Sequence, residues 1–600
     1  MLRGVALAMA ALLATAACER REAPAPAPAP AESRGEAVFR LAEDYFEESL
    51  ALNPLRATFI GDERYNDRLA IDIAPEHIGQ IRALEQRYLE AAEAIDPDAL
   101  DAESRLTWDV FTIGRSEALE ALEFPFHLLP LNQMAAIPQA MAMLGSGQGP
   151  QPFRDAEDYR KFMSRMDDFA RWADQAIDNM RAGIERDIVQ PRVVIEKMIP
   201  QYDALLNENP ERTLFWAPVA NFPDAVDAGE RARLTDAWRE RLSGTLLPAY
   251  ARLRDFLRDE YLPAGRESVG WTALPDGEAW YALNVRHQTT TDMTPDEIHR
   301  LGLSEVARIR AEMDRIRVEV GFEGDLAAFF AHLKSDPRYF FDSPDEVLEA
   351  YGELKQRINA ALPALFADFP QADYELRAIE AFRAESAAGA EYQQPSADGA
   401  RPGIFYVNTF NLKAQPRYGT ETLSLHEASP GHHFQIAIQQ EIEQLPRLRR
   451  FGGETAFVEG WALYAESLGP DLGLFKDPYA YYGRLNDEQL RAMRLVVDTG
   501  LHAFGWSRED AIAFMLENSS MAETDVIAEV ERYIVWPGQA LGYKIGELTI
   551  SGLRRDAERE LGERFDLKDW HGMVLRGGSM PMNVLTARTQ RWIEARRAAN

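Results

Sequence analysis

Apolar residues recur at three- and four-residue intervals along most of the chain from about residue 36. In TPDEIHRLGLSEVARIRAEMDRI the positions Ile298, Leu301, Val306, Ile309, Met313 and Ile316 fall on one helical face. Thr294 stands at the N-cap, Pro295 opens the first turn and Glu297 closes a capping box. SPDEVLEAYGELKQRI repeats the device with Ser343, Pro344 and Glu346. Longer periodic stretches are AEDYRKFMSRMDDFARWADQAIDNMRAGIERD and DEQLRAMRLVVDTGLHAF, and no fixed-period repeat is visible. Strand signals are few. The strongest is GIFYVNTFN, residues 403–411, which is aromatic and β-branched and follows Pro402. A Pro-Gly start suits an edge strand. The pattern predicts a mainly α fold with a small edge-strand sheet. Loop-like seams fall near 262–278 and 384–402, and the second can lie over a cleft. The folded body is expected over 36–600, with a division into lobes of about 36–290 and 291–600.

The first residues break the pattern. MLRGVALAMAALLATAA has a short basic start, an apolar run over residues 4–14 and small residues before Cys18. It reads as a signal peptide over 1–17. Cys18 is the single cysteine in the chain, so no disulfide forms within it. Its place resembles a bacterial lipobox, with Cys18 as the lipidated first residue of the mature protein. Thr15 stands where a lipobox usually has leucine; the alternative is ordinary cleavage after Ala17, with Cys18 incidental. The Ala-Pro alternation that follows reads, over 18–35, as an extended tether. Glu19 leans toward the outer membrane. No other run is apolar and long enough to span a bilayer.

Charge narrows the partners. A formal charge of −32 over 600 residues argues against nucleic-acid binding and against basic attachment to a membrane surface. Membrane contact is therefore expected through the N-terminal lipid alone.

LSLHEASPGHHFQ, residues 423–435, places His426, His432 and His433 within eight positions, with Glu427 directly after the first. In an H-E-x-x-H helix the two histidines stand one turn, about 6 Å, apart and can share one zinc ion. Here the later histidines would lie roughly 9 and 10.5 Å along a regular helix, too far to share a metal. Pro430-Gly431 resolves this. A proline at that position clashes with the His426 carbonyl and pushes Ser429 from helical angles, so the helix must bulge, break or restart. Two residues absorbed there bring His432 to the late ligand place. His433 is then left either to support the site or to face substrate.

A catalytic zinc site needs a third protein ligand. FVEGWALYAESLG, residues 457–469, offers Glu459 and Glu466, seven apart in an apolar segment where carboxylates rarely go without a partner. Glu459 is the expected third ligand; Glu466 is placed to orient a histidine. Glu427 suits the general base of a metal-assisted hydrolysis. The bland alternative is a surface cluster of histidines with Pro-Gly as a helix stop.

These segments, with VWPGQALGYKIGEL, MTPDEIHRLGLSEV, RPGIFYVNTFN, MRLVVDTGLHAFGWSREDAI and GGSMPMNVL, resemble the DUF885 family of bacterial proteins, grouped with gluzincin-type metallopeptidases. The likeness covers about residues 40–595. It implies a large helical zincin-like peptidase body with a deep central groove, zinc held by His426, His432 and Glu459, and Glu427 as base.

Arg494, Asp498 and His502 recur every four residues and form one polar stripe. Arg494–Asp498 reads equally as a surface ion pair, while His502 is expected at the cleft. Tyr543 is a candidate oxyanion donor, or else a core tyrosine. An edge strand over 404–409 would pair with an extended peptide. The remaining histidines are expected to be structural or exposed, with His299 solvated in a first helical turn. The expected function is a lipid-anchored zinc peptidase of the cell envelope acting on short peptides. Its alternatives are a non-catalytic peptide- or metal-binding lipoprotein, or a zinc hydrolase of small amides and esters.

Overall fold

A computed structural model describes residues 33–379, 384, 389–396 and 401–598. The signal peptide, Cys18 and most of the tether lie outside the described residues, as does most of the 384–402 seam.

Helices dominate, and their ends follow local chemistry. Ser33 opens the first one, Arg34–Leu52: its hydroxyl accepts from the Glu36 N–H at 3.2 Å while Glu36 accepts from the Ser33 N–H at 2.8 Å. Thr294 and Glu297 close the same box on Pro295–Glu319. At Pro344–Ala361 only half of the expected box forms. Ser343 accepts from the Glu346 N–H, but Glu346 turns to the Asp342 N–H at 2.9 Å.

Two close helix pairs set the frame. Pro295–Glu319 lies along Pro478–His502, where a Cβ on Gly302 would come within 2.7 Å of Leu495. Thr455–Ser467 lies along Gln539–Leu561. There a Cβ on Gly546 would stand 1.9 Å from the Ala456 carbonyl oxygen, so two glycines, Gly460 and Gly546, let the backbones meet. The largest apolar cluster takes residues from both sides of position 290, among them Phe162, Trp238, Tyr250, Ile309, Val497 and Tyr533, so the two expected lobes share a core. The seam at 262–278 is not a linker either: Trp271 packs against Trp280 with ring centroids 4.7 Å apart. A second cluster of Leu425, Phe434, Phe457, Trp461, Tyr464 and Trp570 underlies the histidine segment.

The sheet has three strands, β1 (Tyr374–Ala378), β2 (Ala390–Gln393) and β3 (Gly403–Val407), in the order β1-β3-β2. β3 pairs parallel to β1 and antiparallel to β2. It is therefore the central strand and buried throughout, not the edge strand expected from Pro402. Pro402 precedes the strand, where it need not donate to a ladder. Residues 404–407 have no free edge for a peptide. Among the described residues no helix is long and apolar enough to cross a membrane.

Candidate metal centre

The helix carrying His426 runs Thr420–Glu427 and stops. Ala428 leaves helical space at φ −103°, ψ −112°, and the Ser429–Pro430 peptide is cis. A new helix, His432–Glu441, starts after Gly431. Gly431 folds back against the old helix end so tightly that a Cβ there would stand 1.9 Å from the His426 carbonyl oxygen and 2.3 Å from that of Leu425. Only glycine fits. The Trp461 indole donates to the Pro430 carbonyl at 2.8 Å and ties the break to Thr455–Ser467.

The break turns two histidines toward each other. The His426 and His432 rings meet edge to face, with centroids 4.7 Å apart. Glu459 faces both: its Oε2 is 3.6 Å from His426 Nε2 and 3.4 Å from His432 Nε2. One ligand atom from each residue lies within 4.8 Å of the others. Tetrahedral zinc with bonds of about 2.0–2.1 Å separates its ligands by about 3.3–3.4 Å. Glu459 Oε2 is buried, with no hydrogen-bond donor among the described residues. A buried carboxylate oxygen left this way is costly unless a cation faces it. Two imidazoles and one carboxylate are also the donor types zinc takes, so the residues fit that ion. The site is not sealed: the side chains of His432 and Glu459 keep 11% and 19% of their exposure.

The electrostatics draw positive charge. Burial disfavours a protonated His426, but Glu459 and Glu466 on its two nitrogens outweigh this and lift the ring to about 9. Burial would raise the Glu459 carboxyl, yet the facing His432 and His426 rings hold it well below the usual range. Glu466 Oε1 is 2.7 Å from His426 Nδ1, at a position that fixes the ring's rotation and leaves Nε2 toward Glu459. Glu427 is buried in the last helical turn, and its carboxylate has no hydrogen-bond or ion-pair partner among the described residues.

His433 goes elsewhere. Its Nδ1 bonds the Tyr392 hydroxyl at 2.9 Å and its Nε2 the Ala372 carbonyl at 3.1 Å, with the Tyr374 ring against it. Burial pushes it down to about 4, so it is a neutral tie between the helix and the sheet. It neither joins the cluster nor offers an atom to substrate. Its neighbour His432 leaves Nδ1 buried, with no hydrogen-bond partner among the described residues.

The polar stripe of Pro478–His502 divides. Arg494 does not pair with Asp498: it bonds Glu529 through Nη2 at 2.8 Å and lies 4.3 Å over the Tyr543 ring. Asp498 accepts the Gly538 N–H at 3.0 Å and the Tyr281 hydroxyl at 2.7 Å, and burial raises it to about 7. His502 is fully buried. Its Nδ1 accepts from the Trp271 N–H at 3.2 Å and its Nε2 donates to the Tyr533 carbonyl at 2.9 Å. With both nitrogens engaged by backbone, His502 has none left for an oxyanion, and the catalytic role expected of it is withdrawn. His299 is not solvated in the way expected: its Nδ1 bonds the Thr499 hydroxyl at 2.8 Å. The Tyr543 hydroxyl accepts from Arg532 Nη2 at 3.0 Å and keeps its own proton for donation.

Sequence reasoning missed Asp487, Arg491, Glu529 and Arg532. Arg491 and Asp487 extend the stripe one and two turns toward its start, a spacing that was readable. Glu529 and Arg532 come from Glu523–Val535, and nothing local to that helix points to Arg494.

The fold and the cluster together define a class: a mainly helical protein in which a broken helix brings two histidines and a glutamate into a group that could hold a metal ion. Within that class the chain belongs to the family described as bacterial protein of unknown function (DUF885), matched over residues 54–588. It is similar to a solved structure titled "putative lipoprotein" from Colwellia psychrerythraea, at 29% identity and a TM-score of 0.87, covering 94% of this chain and 100% of that one. A "putative lipoprotein of unknown function" from Shewanella oneidensis shares the fold at 16% identity and a TM-score of 0.67, covering 93% of this chain and 99% of that one. No curated protein matches the chain.

Proposed function

We propose that the protein is a zinc-dependent peptidase acting on short peptides in the cell envelope, anchored by a lipid on Cys18 and facing the periplasm from the outer membrane. The observation that carries this is Glu459 Oε2, buried without a hydrogen bond among the described residues and facing two imidazole nitrogens, with the carboxylate of Glu427 next in the chain to one of them. The lipoprotein titles of the similar structures support the location.

His426, His432 and Glu459 would hold zinc, which when bound supplies Lewis acidity and a lowered water pKa. Glu466 holds the His426 ring in register through Nδ1. Glu427 accepts a proton from the attacking water as its oxygen bonds the peptide carbonyl carbon, then returns that proton to the leaving nitrogen as the C–N bond breaks. The second water proton, left on the new carboxyl group, passes to the amine, so the products are a carboxylate and an ammonium and the base is regenerated. Tyr543 donates a hydrogen bond from its free hydroxyl to the carbonyl oxygen as charge develops there, and keeps its proton. The side chains of His432 and Glu459 keep some exposure, and a substrate groove would open on that side.

The test is incubation of purified full chain with mixed peptides, with and without a chelator, alongside elemental analysis. Stoichiometric zinc and chelator-sensitive cleavage are expected. Bound metal without turnover of peptides, amides or esters would leave a binding protein; absence of stoichiometric metal would end the reading.

A further inference from the structure

A small cavity of about 200 Å³ adjoins the candidate metal centre. Its lining draws on both helices that carry His432 and Glu459, and these helices pack together. Ile436 stands one turn after His432, on the same face of His432–Glu441. Val458 directly precedes Glu459 in Thr455–Ser467. Both helices are otherwise closed to water. In the first, every position but Ile436 and the terminal Glu441 is buried. In the second, every position is buried but Val458, Glu459 and the end residues Thr455 and Ser467. The open side of the pair is therefore shared by the Glu459 carboxylate and two apolar cavity walls.

The rest of the lining adds little polarity. Phe451 supplies a third apolar wall. Gln439 is spent: its Nε2 donates to the Arg449 and Gly452 carbonyls at 2.7 Å each, and its Oε1 accepts from the Ser579 N–H at 2.9 Å and from Gln435 Nε2 at 2.8 Å. Gln394 reaches the cavity from just past β2. Arg450 is the one charged residue in the lining; its Nε donates to the Gln440 carbonyl at 2.8 Å, and its guanidinium lies 5.5 Å from the Phe451 ring centroid. Gly452 and Gly453 contribute backbone alone. Gly453 is exposed and its φ lies outside the left-handed region, so its conformation does not demand glycine. A Cβ there would meet Val458 Cγ2 at 3.4 Å, so a side chain at 453 would stand against the cavity wall.

We propose that this cavity takes one medium-sized apolar side chain of the peptide, such as leucine or phenylalanine, from a residue within two positions of the scissile bond. This rests on the peptidase reading above. An apolar cavity of about 150 Å³ holds a benzene ring, whereas sites for whole small molecules run to about 300–1,000 Å³, so the space suits a single side chain. One helical turn rises about 5.4 Å and an extended residue spans about 3.3–3.6 Å, so the step from His432 to Ile436 matches at most two substrate residues. A charged side chain entering between Ile436, Phe451 and Val458 would lose water, and Arg450 alone stands there to answer a carboxylate.

The experiment uses zinc-loaded full chain and free nine-residue peptides of alanine and serine. One residue, leucine, phenylalanine, glycine, glutamate or lysine, is placed second, fifth or eighth, and products are read by mass spectrometry. Leucine and phenylalanine should raise kcat/KM over glycine about 10- to 100-fold, with the accelerated cut within two residues of them. Gly453→Leu should fill the cavity and shrink the leucine-to-glycine ratio about 10-fold, and Val458→Phe should do the same from the helix side. Melting temperature and zinc content of each variant check the fold. Calorimetry on the Glu427→Gln chain reads binding apart from turnover: the leucine peptide should bind about 10-fold tighter than the glycine peptide, and adding Gly453→Leu should erase the difference. Equal kcat/KM for leucine and glycine, rates indifferent to where leucine stands, or a ratio that both filling variants leave intact overturns the proposal while the peptidase reading stands. A preference for glutamate overturns it in favour of an acidic side chain held by Arg450. If no peptide is cut, the calorimetry decides: a leucine preference lost on filling supports the side-chain cavity without turnover, and equal binding removes it.

Discussion

The His426–His432–Glu459 group and the Asp498–His502 pair are built from the same kinds of side chain and both lie mostly inside the protein, although His432 and Glu459 keep some exposure and Asp498 and His502 none. Both hold strongly shifted acidities, at His426 and Glu459 in the one and at Asp498 and His502 in the other. They differ in what is left over. Asp498 and His502 spend their polar atoms on Gly538, Tyr281, Trp271 and Tyr533, and so tie Pro478–His502 to four other segments. The histidine cluster leaves Glu459 Oε2 and His432 Nδ1 without a hydrogen bond among the described residues. Burial and perturbed acidity therefore do not separate a site from a structural tie; unfilled hydrogen-bonding capacity does.

The sharpest way to break this comparison is at Glu427. Glu427→Gln keeps shape and hydrogen bonding but cannot take a proton. It should lower kcat about 100- to 10,000-fold with zinc content unchanged. Retained turnover in a zinc-loaded Gln variant would remove Glu427 as base. The counterpart on the structural side is His502→Gln. It should cost about 1–3 kcal/mol in urea unfolding, by leaving a backbone group short of a partner, while zinc stoichiometry and kcat hold. A fall in kcat without loss of stability would return His502 to the chemistry.

Between these lies Glu466, which touches the cluster without completing it. Glu466→Gln should weaken zinc binding about 10- to 100-fold, read by chelator competition, because His426 loses the carboxylate that fixes its ring. Unchanged affinity would make Glu466 another structural tie.

How far the sequence speaks follows the same division. The helix break was legible because its cause is local: a proline four residues after His426 and a glycine before His432 act on backbone within one turn. Glu459 and Glu466 were legible as carboxylates out of place in an apolar stretch. The fates of His433 and His502 were not. His433 is decided by Tyr392 and Ala372, 41 and 61 positions away, and His502 by Trp271, 231 positions away. A four-residue spacing shows which side chains share a face, never what stands opposite. The sheet failed for a related reason. β3 alone is rich in β-branched and aromatic residues, while its neighbours YELRA and AEYQ carry glutamate, arginine and glutamine, so a central strand looked solitary.

The smallest effect probes the structural side through pH. Burial pushes the His502 ring down to about 3, whereas an unfolded chain takes the proton near 6.5. Above pH 6.5 both states are neutral and the tie contributes in full. Below it the unfolded state gains a proton that the folded state refuses, so stability falls with pH until the folded ring itself titrates. Asp498, raised to about 7, works in the opposite direction over the same range, so the raw stability curve mixes the two. The difference between wild type and His502→Gln cancels the shared carboxylate and isolates the histidine. That difference should shrink by up to about 1.4 kcal/mol per pH unit between pH 6 and 4. A difference that stays flat across this range means the ring accepts a proton without losing its bonds to Trp271 and Tyr533. His502 would then have spare capacity after all, and the line drawn between tie and site would have to move to include it.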